Sequence, residues 1–167
     1  MIKKKYNIAL FGNTNNYPLL LAESFTQLGH DVQFFINRKE LLHRPESKYP
    51  DWSKHYPSWI HDCSFLSDED IAYEIPSLDN VVNQLSNQNF DLVVLNDIGL
   101  ALAGFLRCPY VAFLTGSDLS YYADYGMLDK LTAKWDPEFK RSISGRRNIY
   151  RFADLVTRQR DGILGRK

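Results

Sequence analysis

Cysteine is scarce in this chain. Only Cys63 and Cys108 occur, far apart and without metal-type spacing, which argues against a disulfide framework and for reduced thiols in a cytoplasmic protein. Long apolar runs are missing as well. The longest uncharged one, Ile98 to Leu106, falls well short of the roughly 18 residues needed to cross a bilayer. At the amino end, the basic Met1–Lys5 is followed by an apolar stretch of only Ile8 to Phe11, too short for the core of a secretory signal, so no export is expected. Net charge is absent too, with 20 Lys and Arg against 20 Asp and Glu, and no nucleic-acid partner is expected. There is no nucleophile–base pair, no His or Cys cluster for a metal, no internal repeat and no low-complexity tract. A catalytic residue therefore cannot be assigned from the residues alone, and no metal is expected.

The charge balance conceals an asymmetry. Residues 62–97 carry eight acids and no Lys or Arg, whereas residues 138–167 carry nine Lys and Arg against three acids. A basic end suits phosphates, peripheral contact with the inner face of a membrane, or plain solvation of a helix face.

At 167 residues and 44% hydrophobic, the chain is long enough for one domain with a sizeable core. Its organising stretch is Pro109-Tyr110-Val111-Ala112-Phe113-Leu114, a β-prone run that stops at Thr115-Gly116-Ser117-Asp118. That pattern predicts a buried parallel strand whose carboxyl end opens into a polar loop. The same grammar recurs. Tyr6 to Phe11 predicts a strand ending at Gly12-Asn13-Thr14-Asn15-Asn16, and Tyr17, Leu20, Leu21, Ser24, Phe25 and Leu28 then recur at helical spacing, with Pro18 in the first turn and Gly29 as the stop. Asp31 to Asn37 completes a βαβ unit.

From Lys39 to Trp59 the rhythm breaks into a Pro- and aromatic-rich excursion, read either as an acceptor-contacting flap or as packing over the sheet. A weak third strand is expected within Ile60–Leu66, followed by a helix from Pro76-Ser77 through Leu85 and a buried strand at Asp91–Leu95 that ends at Asn96-Asp97. Gly99–Leu106 predicts a short buried helix. Beyond Asp118 come a Tyr-rich helical region, a basic helix to about Arg151 and a last strand at Phe152–Thr157. The expected fold class is α/β, a Rossmann-like open parallel sheet, doubly wound, with strand order 3-2-1-4-5-6.

In such a sheet the strand ends meet on one edge. The candidate binding residues are Gly12, Asn13, Thr14, Asn15, Asp97, Thr115, Gly116, Ser117 and Asp118. Hydroxyls, amides, carboxylates and helix-start N–H groups suit a hydroxyl-rich or phosphorylated small molecule. A dinucleotide site would want G-x-G-x-x-G after the first strand, and only Gly12 is present. Gly12 also reads as a turn glycine, and Asp97 as a helix cap.

Asn7-Ile8-Ala9-Leu10-Phe11-Gly12, Leu28-Gly29-His30-Asp31-Val32, Phe90-Asp91-Leu92-Val93-Val94, Leu114-Thr115-Gly116-Ser117-Asp118 and Ala153-Asp154-Leu155-Val156 occur in an order and spacing that resembles the amino-terminal, acceptor-side domain of GT-B glycosyltransferases, in particular the retaining family 4. The resemblance implies one half of a GT-B fold, with a sugar or glycolipid acceptor held here and a nucleotide sugar, as donor substrate, held mainly by a second domain or subunit. It further implies that Gly12 and Asn13 lie near the donor phosphates and acceptor, that Thr115 to Asp118 line the cleft floor, and that the enzyme acts in cell-surface glycan synthesis. This chain has Gly12-Asn13 where the family commonly has paired glycines, and Thr115 where it commonly has histidine. The paired-glutamate motif of the donor domain does not occur in these 167 residues, so the chain alone is expected to be inactive as a transferase. The alternative from another class is a non-enzymatic Rossmann-like module that binds a nucleotide or sugar.

Overall fold

The structure, a computed structural model, describes residues 4–38, 43–63, 83, 85, 88–104 and 106–115. Strands β1 (Asn7–Phe11), β2 (Asp31–Ile36), β3 (Ile60–Asp62), β4 (Leu92–Leu95) and β5 (Tyr110–Ala112) form one sheet in the order β3-β2-β1-β4-β5, every neighbour parallel. This is the expected Rossmann-like arrangement over its first five strands. The expected last strand at Phe152–Thr157 and the helical regions before it lie outside the described residues, as do Gly116, Ser117 and Asp118.

Alternation along each strand builds two cores. Ile8, Leu10, Phe34, Ile36 and Val94 face one side, and Ala9, Phe11, Phe35, Val93 and Leu95 face the other, because successive side chains of a strand point to opposite faces. Helix α1 (Tyr17–Gln27) covers the first face. Leu85, helical and fully buried, and Leu102 of a 3-10 helix at Asp97–Gly104 cover the second. A sheet clothed on both faces is what doubly wound means.

Helix α1 begins with Pro18 in its first turn and ends in a Schellman cap. Gly29 takes φ +91°, its N–H bonds the Thr26 carbonyl at 3.0 Å, and the His30 N–H bonds the Phe25 carbonyl at 3.1 Å. The buried stripe differs from the expected one. Leu19 and Ala22 are buried, with Leu21 and Phe25 packed beside them, while Leu20 and Leu28 stand exposed. Three consecutive leucines fit either phase of the helical period, and Pro18, Ala22 and Phe25 at intervals of four and three settle it.

Strand β5 also departs from expectation. It runs for three residues, with Tyr110 and Val111 exposed, because among the described strands it is an edge, paired only to β4. At the amino edge His30 takes part in packing: its Nδ1 accepts the Tyr6 N–H at 3.3 Å, and its ring lies near those of Tyr6 and Phe25. Among the described residues no helix is long and apolar enough to cross a membrane.

Candidate functional site

The chain runs outward from β1 to β3, then returns to β4 on the other side of β1, so strand order reverses between β1 and β4. Ligands of open α/β sheets bind in the crevice outside the carboxyl ends at such a reversal. Gly12 leaves β1 here and Asn96 leaves β4. The two backbones approach so closely that a Cβ on Gly12 would stand 2.3 Å from the Asn96 carbonyl oxygen, and Gly12 takes φ +89°.

Asn96 is the hub of the edge. It is fully buried; its Oδ1 accepts the Thr14 N–H at 2.8 Å, and its Nδ2 donates to the Phe113 carbonyl at 2.7 Å and to Thr115 Oγ1 at 3.0 Å. The Thr14 N–H can only donate and the Phe113 carbonyl can only accept, so the amide orientation is determined by its partners. One side chain thus ties together the exits of β1, β4 and β5. Asn96 was not among the candidates read from the sequence, which favoured the neighbouring carboxylate. The usable signal was its place directly after four strand residues at the heart of the sheet, where a polar side chain must find partners inside the protein.

Most of the remaining candidates gather around this hub, in different roles. Asn13 turns inward: its Nδ2 donates to Asn16 Oδ1 at 2.6 Å and to the His43 carbonyl at 2.5 Å, while its Oδ1 accepts the Leu19 N–H at 3.3 Å. The Asn15 side chain is exposed, and its N–H donates to His43 Nδ1 at 3.0 Å. Left-handed backbone falls at Asn15 (φ 53°) and Asn16 (φ 58°), residues whose short amides tolerate it, and at Asp97 (φ 53°) on the opposite lip of the crevice. Thr14 and Thr115 are both buried against Asn96.

The N–H groups at the start of α1 are already committed. Those of Thr14, Asn15, Asn16, Tyr17 and Leu19 donate to Asn96, His43, Asn13, Thr14 and Asn13 respectively, and Pro18 has none. A phosphate on a helix N-terminus needs those donors directed outward. Here the donors from Thr14 to Leu19 are taken by acceptors of the protein itself, so they are not presented to a phosphate.

At the exit of β2, the Arg38 guanidinium lies 3.3 Å from Glu46 and 4.3 Å over the Tyr56 ring, and the Tyr56 hydroxyl donates to Glu46 at 2.6 Å. Burial pushes the Glu46 carboxyl up, but hydrogen bonds from Tyr56 and Arg38 outweigh it and hold the group below its usual range. Burial and the Glu46 carboxylate push the Tyr56 phenol up. The cluster anchors the aromatic excursion: Tyr49 stacks on Trp52 at 4.3 Å, Trp52 meets Tyr56 and Trp59 edge-on, and the four rings pack on the α1 face of the sheet. Packing is thus the shown role of these aromatics. The His43–Ser47 part of the excursion bonds the β1 loop through the Asn13 and Asn16 side chains.

His61 on β3 stacks against Phe35 with centroids 4.9 Å apart, its Nε2 is buried without a partner, and burial lowers its pKa below the ordinary value. Unfolding releases it to a pKa near about 6.5, so the unfolded chain binds the extra proton on acidification. The stabilisation from keeping His61 neutral is complete above that value and is lost as pH falls toward the lower folded pKa. The expected result is a thermal midpoint that falls between about pH 7.5 and pH 5, with that component of the slope missing in His61→Phe. Equal slopes in the two proteins, measured by circular dichroism, would contradict it.

Cys63 is buried, and burial together with the Asp62 carboxylate pushes its thiol up to about 12, so it is no nucleophile. Among the described residues no three His, Cys, Asp or Glu side chains come together as a metal site would require. Comparison with known protein families, with curated proteins and with solved structures gives no match for this chain.

Proposed function

We propose that this chain is the acceptor-side, Rossmann-like half of a nucleotide-sugar-dependent glycosyltransferase of GT-B type, acting on a sugar or glycolipid acceptor in cell-surface glycan synthesis. The observation that carries the reading is the state of the crevice between β1 and β4. The described residues at its edge carry polar side chains, those of Thr14, Asn15, Asp97 and Thr115, and the N–H groups at the start of α1 that would hold a phosphate are taken by acceptors of the protein itself. Such an edge suits sugar hydroxyls better than donor phosphates, which the reading assigns to a second domain or subunit. The motif order from Gly12 through Asp118 supports the same assignment. No residue of these 167 is given the role of general base.

The test is titration calorimetry on the 167-residue chain. Nucleotide sugars are expected to bind weakly or not at all. Tight, saturable binding of a nucleotide sugar would overturn this division of roles and favour a nucleotide-binding module instead.

A further inference from the structure

The Thr14 hydroxyl stands out against its surroundings. The residue is 6% exposed, yet its Oγ1 is buried with no hydrogen-bond partner, in a loop where the Asn13 and Asn16 side chains and the Asn15 N–H are engaged. Buried polar groups are nearly always paired, since an unpaired one bears the full cost of leaving water, so an orphan at a strand-order reversal calls for a cause. Its backbone is not free to relieve the deficit: the Thr14 N–H is pinned by Asn96, the Thr14 carbonyl accepts the Tyr17 N–H, and Gly12, two residues before, stands against the Asn96 backbone. The side chain retains one freedom. A turn of χ1 exchanges its methyl and hydroxyl positions, and the next residue, Asn15, is exposed.

We propose that Thr14 is a ligand-contacting, specificity-determining residue whose hydroxyl receives its missing partner from a neutral hydroxyl of the bound molecule. The class follows from the donors. A hydroxyl both gives and accepts one bond and so matches another hydroxyl, whereas a phosphate would bring two charges to a loop whose N–H groups are committed elsewhere. This inference rests on the acceptor-side reading and narrows it to one atom.

The consequence is an inverse relation between stability and binding. Thr14→Val keeps the shape and removes the orphan, so the ligand-free chain should unfold about 2–4 °C higher while sugar binding weakens about 10-fold or more. Thr14→Ser should restore binding. The measurements are thermal unfolding of the three proteins and amide-shift titrations with methyl glucosides, lactose and maltose, with inorganic phosphate and pyrophosphate for comparison. A lower unfolding temperature for Thr14→Val overturns the inference, since the hydroxyl is then held by the protein or by structural water. Sugar binding that survives Thr14→Val overturns it too, but leaves the acceptor-side reading standing. A wild-type response to phosphate in place of sugars, or to none of the probes at millimolar concentration, overturns both.

Discussion

Replacement of Gly12 by alanine is expected to cost about 4 kcal/mol or more, a large fraction of the whole stability of a domain. The added Cβ would lie 2.3 Å from the Asn96 carbonyl oxygen and 2.9 Å from its carbon, both backbone atoms of a central strand exit. No side-chain rotation relieves that contact. Either β1 and β4 separate, breaking the bond from the Asn96 N–H to the Phe11 carbonyl at 2.8 Å, or the loop is thrown out of its turn. Gly29 supplies the control, because it has nearly the same backbone, φ +91° against +89°, with nothing within 4 Å of its would-be Cβ. Gly29→Ala should therefore show the conformational cost alone, about 1–2 kcal/mol. Urea unfolding of both variants separates the two terms. Similar losses at the two positions would mean that the strand exits are not in contact as described.

The same comparison shows what a sequence can and cannot disclose. Gly12 and Gly29 look alike in one dimension: each ends a regular run, the first read as a turn glycine and the second as a helix stop. Only the return of a strand 84 residues later, with Ile8 opposite Leu92, separates a glycine required by its neighbour from one required by its own φ. The sheet itself was legible because its signals are local: apolar runs of strand length, a proline at a helix start, a glycine at a helix end. The order of the first five strands followed from the βα rhythm. The phase of α1 was not legible, since three leucines in a row satisfy two faces. Nor was the exposure of Tyr110 and Val111, which depends on what pairs with β5 and not on its composition. At the candidate site, chemistry-bearing residues were recognised by type, which favoured Asp97 for its charge. Asn96 was passed over because its importance lies in three partners contributed by two other segments. The polar edge was thus foreseen, but not the residue that organises it.

That organisation makes Asn96→Asp the most informative single change at the edge. The substitution preserves shape to within one atom, and it replaces a group that donates twice with an oxygen that only accepts. The Phe113 carbonyl, 2.7 Å away, can only accept and would then face a carboxylate oxygen in a site with no exposure, while the Thr115 hydroxyl, 3.0 Å away, would have to turn from accepting to donating. The bond from the Thr14 N–H survives, so the variant isolates the β4–β5 side of the clamp. The expected loss at neutral pH is about 3–5 kcal/mol, because a buried group loses its donors and acquires a charge that its hydrogen bonds only partly offset. Burial and lone-pair repulsion should raise the new carboxyl well above its unfolded value near about 3.9. A group whose folded pKa is raised stabilises most below the unfolded pKa and loses that contribution as pH rises through the folded one. The defect should accordingly shrink on acidification toward about pH 4, where the protonated acid can donate once more. Asn96→Ala, which carries no charge, should remain impaired at every pH. Thermal unfolding across that range distinguishes the two variants. A loss below about 1 kcal/mol for Asn96→Asp, or one without pH dependence, would show that Asn96 does not hold the three strand exits together.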